Sequence, residues 1–310
     1  MGQIESGWGF AAGTFGELVQ GEIDNTPFLI TLPIPWGTRA VFYGTPEGAL
    51  ELYPAYKRKA RRAAELVLEE WGYPQSGILV VQSALPVGKG MASSSADVVA
   101  VIRAVAAYWG KSLEPGDAAR LAAQIEPSDG IMYPGVVALN PRTGQLLERM
   151  GPVPSALVVG VLGHGRINTE DHHRLRERYE ARHQDRLKEA LKWVRRGVKR
   201  RDVAALGQAG RISAEVQLER HPDEALARFL EIADQEGLGV MIGHSGTVKG
   251  ALLPLPTPSA KIRRVEQRLW ALDSGPVYRI QVGPVPTRLS GKGDWRGADA
   301  LSRTPDSLVP

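Results

Sequence analysis

Cysteine is absent from the 310 residues, which excludes disulfides and thiolate metal sites and fits a reducing compartment. Aromatic residues make up only 6% of the chain, too few to interleave with basic side chains as a nucleic-acid surface requires. No run approaches the ~18 consecutive apolar residues of a membrane span. The first nine residues have neither a basic start nor an apolar stretch, so no secretory leader is expected. A dominant charge of one sign is also lacking, with 38 basic against 34 acidic residues. The basic stretches Lys57–Arg62 and Arg174–Arg201 mix with Glu and Asp at helical spacing, the pattern of a solvated helix face. A soluble cytoplasmic protein, with neither nucleic acid nor membrane as partner, is the expectation.

The chain has ample material for a core. Hydrophobic residues reach 43%, and a chain of this length exceeds the usual span of one core, so two domains are expected. The most informative stretch runs Leu85-Pro86-Val87-Gly88-Lys89-Gly90-Met91-Ala92-Ser93-Ser94-Ser95-Ala96. It follows the β-rich Ile78–Val81, is punctuated by Pro86, and leads into an apolar helical run from Asp97 to Tyr108. Small residues from Gly88 to Ala96 let backbone N–H groups approach an anion closely, and the N-terminus of the helix beginning near Ser93 adds a positive dipole. Three adjacent hydroxyls there can cap the helix, bond phosphate oxygens or hold a Mg²⁺ that bridges them. A simple cap and tight turn is the alternative reading.

Further strands are expected at Gly9–Ala12 and within Phe28–Tyr43, broken by Pro33 and Pro35. Pro54–Trp71 reads as an amphipathic helix, Ser93–Trp109 as a buried one, and Pro115–Ile125 as a third with proline in its first turn. Val136–Leu139 and Gln145–Arg149 read as a hairpin around Asn140-Pro141-Arg142-Thr143-Gly144. After an apolar strand at Ala156–Leu162 come charged helices at about Asp171–Arg200, Asp202–Arg220 and Asp223–Glu236. Strands at Leu238–Ile242 and Val248–Leu253 flank a Gly243–Thr247 loop, followed by a helix at Ser259–Leu272 and a strand at Val277–Val282. Pro284–Pro310 is rich in Gly, Pro, Ser and Asp, the composition of a loosely packed extension.

Several chemistries are disfavoured. There is no G-x-x-x-x-G-K-[ST] loop and no G-x-S-x-G elbow. Gly163-His164-Gly165 is not continued as a dinucleotide fingerprint. His172-His173, beside Glu170 and Asp171, lacks the spacing of a zinc-binding helix.

Pro86-x-x-x-Gly90-Met91-Ala92-Ser93-Ser94-Ser95-Ala96 resembles the phosphate loop of the galactokinase, homoserine kinase, mevalonate kinase and phosphomevalonate kinase (GHMP) superfamily. Gly16-Glu17-Leu18-Val19-Gln20-Gly21, Glu126-Pro127-Ser128-Asp129 and His244-Ser245-Gly246-Thr247-Val248 extend the likeness to one subgroup, the L-threonine kinases of cobalamin side-chain synthesis. The resemblance implies an α+β, two-lobed fold. Residues 1–154 would form a ribosomal-protein-S5-like ATP-binding lobe, 155–285 a ferredoxin-like lobe, and 286–310 a C-terminal extension. It implies ATP and Mg²⁺, with Pro86, Gly88, Lys89, Gly90, Met91, Ala92, Ser93, Ser94 and Ser95 cradling the phosphates. Ser94 and Glu126 would be the metal ligands and Asp129 the base. L-Threonine would be the acceptor, touched by Glu17, Gln20, Asp129, His244, Ser245 and Thr247, with room for a homodimer.

The residues themselves leave other readings open. Glu126–Gly130 has the composition of a turn, Glu17 and Gln20 suit a solvated loop, and Gly243–Thr247 suits a plain hairpin tip. Lys89 would neutralise phosphate if its side chain turns inward. Mevalonate kinase-like members carry a Lys in the first motif, whereas Thr14 lies nearest that position here and the first Lys is Lys57, so Lys-assisted activation is not expected. A homoserine- or sugar-directed kinase is the nearest enzymatic alternative, and a silent nucleotide-binding regulator the alternative from another class.

Overall fold

In the computed structural model the described residues are 5–163, 179–273, 275–283 and 289–293. Three sheets and seven α-helices organise them. The first sheet is built on β1 (Gly7–Thr14), which pairs antiparallel with β4 (Pro33–Gly44). Beyond β4 lie β6 (Gly77–Ser83) and, parallel to it, β5 (Leu50–Tyr53). Helix α2 (Ser93–Tyr108) covers this sheet and is buried almost all round, as its run of Val, Ala and Ile requires. Helices α1 (Arg58–Glu70) and α3 (Pro115–Ala123) flank it.

Pro33 and Pro35 do not break β4. The pairing with β1 shifts register between Ala12 and Gly13, and this irregularity absorbs the donors that proline cannot supply. A second departure is at the C-terminal end, where β13 (Ser290–Lys292) adds an edge strand to β1. Phe10 N donates to the Leu289 carbonyl at 2.8 Å and Gly293 N to that of Ser6 at 2.8 Å. This stretch of the glycine- and serine-rich tail is ordered by backbone bonds to an open sheet edge, a signal that composition does not carry.

A second sheet contains β2 (Val19–Ile23), β3 (Thr26–Thr31), β7 (Val136–Leu139) and β8 (Leu146–Gly151), all antiparallel. The β7–β8 hairpin turns where expected, with Asn140 Oδ1 accepting from Arg142 N at 3.0 Å.

In the third sheet, β9 (Ala156–Leu162) lies between β11 (Val248–Pro254) and β12 (Val277–Val282), with β10 (Gly239–Ile242) beside β11. Its chain order, with α4 (Ala181–Arg200), α5 (Val203–Arg220) and α6 (Glu224–Glu236) before β10 and α7 (Ser259–Asp273) before β12, is the split β-α-β arrangement of a ferredoxin-like fold. In α4 the buried His183, Leu187, Ala190, Val194 and Val198 form one stripe, so the charges fall on the opposite face. Asp202 and Asp223 cap α5 and α6 by accepting from Ala205 N (3.1 Å) and Leu226 N (3.0 Å). The mixed helix-and-sheet class is as the sequence implies. Among the described residues no helix is long and apolar enough to cross a membrane. Residues 164–178, with the His172-His173 pair and the start of the expected Asp171 helix, lie outside the described residues.

Candidate active site

Helix α2 begins without a side-chain cap. Its N-cap is Ala92, held in the left-handed region at φ 57°, which offers no side-chain cap. First-turn N–H groups therefore remain for a ligand. The serines bond elsewhere. Ser94 Oγ donates to Glu126 Oε1, and Ser95 Oγ donates to Asp129 Oδ2 at 2.9 Å. Successive helical residues point about 100° apart, so adjacent serines hold two different carboxylates on neighbouring faces of one helix end.

The segment after α3 delivers both carboxylates. Asp129 precedes the 3₁₀ turn Gly130–Met132, which is pinned by Gly130 N donating to Thr31 Oγ1 at 3.1 Å. The buried Arg103 holds the carbonyls of Phe10 (2.7 Å) and Met132 (2.9 Å), tying β1 and this turn to α2. Asp129 is pushed up to about 7, first by burial and then by the charges of Glu17 and Glu126, against the Ser95 hydrogen bond.

The three motif segments are sewn together by backbone bonds. Thr14 N donates to Met91 O (3.1 Å), Gly16 N to Gly90 O (3.0 Å), Thr247 N to Lys89 O (2.9 Å) and Glu17 N to Ile242 O (2.8 Å). At the crossing, a Cβ on Gly246 would sit 2.4 Å from Gly90 Cα, so only glycine permits this approach.

A cleft of about 400 Å³ opens beside the helix end. Glu17, Gln20, Gly88, Gly90, Met91, Ala92, the three serines, Glu126, Asp129 and Ser245 line it. Four expected residues stand differently. Pro86 is not on the cleft wall, and Lys89 turns away, its Nζ donating to the Gly163 carbonyl at 2.5 Å. Thr247 Oγ1 donates to the same carbonyl at 3.0 Å. Buried His244 lies behind the wall, with its backbone N 3.0 Å and its Nδ1 3.2 Å from Glu17 Oε2. Lys89, which would neutralise phosphate only if its side chain turned inward, instead shares the Gly163 carbonyl with Thr247.

The cleft's cations come from elsewhere. Lys57, Arg58 and Lys59, at the start of α1, all line it. Lys57, read from the sequence as part of a solvated face, is buried and pairs with Asp97 Oδ2 at 2.5 Å. Thr38 Oγ1 donates to the other Asp97 oxygen at 2.8 Å. Burial raises the Asp97 carboxyl, with Lys57 and Thr38 opposing. Lys59 Nζ lies 2.7 Å from Glu126 Oε2. A lone aspartate opening an apolar helical run was the available signal for Asp97; nothing in the sequence singles out Lys57 from its basic neighbours.

Among the described residues no cluster of three or more His, Asp or Glu side chains could hold a metal alone. One carboxylate and one hydroxyl, Glu126 and Ser94, do meet at the cradle. Glu126 already attracts a cation there, so the donor set fits a hard ion that keeps waters and takes further oxygens from phosphates.

Residues 58–135 match the profile described as the GHMP kinases N terminal domain. The chain is 29% identical over 244 residues to an L-threonine kinase of Salmonella typhimurium, covering 77% of this chain and 80% of that relative. It is 28% identical over 252 residues to an L-threonine kinase of Citrobacter freundii, covering 77% and 83%. The fold is similar to that of a homoserine kinase from Cytophaga hutchinsonii, with a TM-score of 0.66 at 16% identity, covering 91% of this chain and 95% of that one.

Proposed function

We infer that this chain, which belongs to the GHMP kinase superfamily and is a small-molecule kinase, transfers the γ-phosphoryl group of ATP to the side-chain hydroxyl of L-threonine. The product is O-phospho-L-threonine, a precursor of the aminopropanol linker of cobalamin. The observation that carries the reading is the pair of bonds Ser94–Glu126 and Ser95–Asp129 at an uncapped helix end. They support the reading by bringing a hydroxyl–carboxylate couple that suits a hard cation, and a carboxyl with a raised pKa, to adjacent faces of one helix end.

The uncapped N–H groups of α2 and the loop from Gly88 to Ser95 receive the donor phosphates. Ser94 and Glu126 would hold Mg²⁺, which when bound offsets charge on the β- and γ-phosphates. Asp129 accepts the hydroxyl proton of the acceptor as the new O–P bond forms and the β,γ-bridging bond breaks, with ADP leaving. Glu17, in the same cleft, receives the acceptor's ammonium, and Gln20 and Ser245 complete its polar surroundings. The 1–154 lobe carries ATP and the 155–285 lobe closes the acceptor side. The threonine assignment draws on the two L-threonine kinase relatives. Glu17, Glu126 and Asp129 facing one cleft favour an acceptor that brings a cation over mevalonate-like acids or sugars.

Steady-state ADP release with Mg²⁺-ATP and a panel of hydroxy compounds tests the assignment. Threonine should exceed serine by the ~1–3 kcal/mol that one methyl group carries. Homoserine, whose hydroxyl lies one bond further out, should fall roughly 10²-fold below threonine. A higher kcat/KM for homoserine, mevalonate or a sugar would reassign the acceptor.

A further inference from the structure

Behind the cleft wall a chain of buried polar groups ends on Glu17. Ser213 on α5 is 1% exposed, Glu17 4% and His244 6%, so water does not stand in for a missing partner at the serine and the ring. His244 Nδ1 lies 3.2 Å from Glu17 Oε2, and the same oxygen accepts from the His244 backbone N–H at 3.0 Å. His244 Nε2 lies 2.9 Å from Ser213 Oγ, which accepts from the Gln20 backbone N–H at 3.1 Å.

With Glu17 as a carboxylate, one arrangement of hydrogens fits this chain. An ionised carboxylate only accepts, so Nδ1 carries the ring proton toward Glu17. In a neutral ring Nε2 is then a lone pair, and the Ser213 hydroxyl fills it. A cationic ring would aim Nε2–H at Ser213 Oγ, leaving the serine hydrogen only the Gln20 carbonyl at 3.5 Å. Gln20 N–H to Ser213, Ser213 to His244 and His244 to Glu17 thus satisfies the serine, both ring nitrogens and Glu17 Oε2 with histidine neutral. It also spends one Glu17 oxygen inside the protein.

We propose that Ser213 and His244 are positioning residues that hold the Glu17 carboxylate with Oε2 bound inward and its other oxygen free to receive the acceptor's ammonium group. Neither touches the reacting atoms. The proposal rests on the amino-acid acceptor reading above, and it removes His244 from the direct contacts that the sequence suggests. It also explains why the His244–Val248 loop and α5 meet beside Glu17 and Gln20. An acceptor-binding carboxylate on an unsupported loop would waste affinity on conformational freedom, whereas one fixed from behind is pre-organised.

The test uses the full-length enzyme. Nitrogen-15 NMR of the imidazole rings, with His244 assigned by its loss in the His244→Ala variant, should show Nδ1 protonated and Nε2 unprotonated near neutral pH. In kinetics, Ser213→Ala should raise KM for threonine about tenfold, the worth of one buried hydrogen bond. KM for Mg²⁺-ATP and kcat at saturating threonine should stay within about twofold. His244→Asn places an amide N–H near the Nδ1 position and should keep more threonine affinity than His244→Ala. An Nε2–H or cationic ring overturns the hydrogen-bond chain. An unchanged threonine KM, or equal losses toward both substrates, overturns the positioning role. Wild-type enzyme that ignores threonine would instead defeat the acceptor reading and the ammonium role with it, while the ring tautomer still decides the hydrogen-bond chain.

Discussion

Lys57 and Asp97, 40 positions apart in sequence, form a buried ion pair at 2.5 Å on the wall of the cleft. Thr38 closes the second carboxylate oxygen, so the pair is satisfied only while β4, the start of α1 and α2 keep their relative places. Removing one partner leaves an uncompensated buried charge, which costs about 3–5 kcal/mol. Lys57→Met should therefore lower the thermal midpoint strongly, and adding Asp97→Leu should recover much of the loss. Calorimetry of both variants checks this. A single variant melting within about 2 °C of wild type would mean that the pair carries little net energy.

Ser94 and Glu126 meet at the cradle, and Lys59 already sits on the outer Glu126 oxygen. Ser94→Ala and Glu126→Gln should each reduce turnover and raise the Mg²⁺ concentration needed for half-maximal rate, with excess Mg²⁺ restoring part of the activity. Titrations of rate against Mg²⁺ at fixed ATP decide it. Unchanged Mg²⁺ dependence in both variants would displace the metal from this pair.

As the proposed base, Asp129 would act in its ionised form, and in the free enzyme its carboxyl is pushed up to about 7. The pH profile of kcat/KM should rise through an acid limb near that value. Glu17 contributes to the upward shift, so Glu17→Gln should move the limb to lower pH whatever it does to KM. Asp129→Asn should lower kcat by about 10²-fold or more. Near-normal kcat in that variant would leave Asp129 as a turn residue.

The same carboxyl makes a stability prediction that is independent of substrate. Its pKa is higher folded than unfolded, so the folded state binds the proton more tightly and loses stability as pH rises through about 7. Asp129→Asn, which cannot ionise, should raise the thermal midpoint relative to wild type at pH 8 more than at pH 5. Equal shifts at the two pH values would contradict the raised pKa.

Much of this was legible in the sequence where the signal is local. β9 spans the expected Ala156–Leu162 and α2 begins at the expected Ser93, because uninterrupted apolar runs bounded by Gly, Pro and Ser leave little choice of element. The loop that opens α2 and the Glu126–Asp129 segment beside it were also legible, as short motifs with fixed order. Long-range pairing was not. Lys57 looks like any other base in Lys57–Arg62 until the fold sets it against Asp97, and Ser213 carries no mark that His244 will need its hydroxyl. The direction of the Lys89 side chain was not legible either, because its acceptor, the Gly163 carbonyl, is 74 residues away. The edge strand Ser290–Lys292 depends on backbone groups of β1 rather than on its own side chains.

The most direct test is a competition. Purified enzyme is given Mg²⁺-ATP with equal concentrations of L-threonine, L-serine and L-homoserine, and the phosphorylated products are quantified by mass spectrometry at low conversion. O-Phospho-L-threonine is expected to dominate, followed by phosphoserine and then phosphohomoserine. Predominant phosphohomoserine, or ADP formed without any phosphoamino acid, would contradict it.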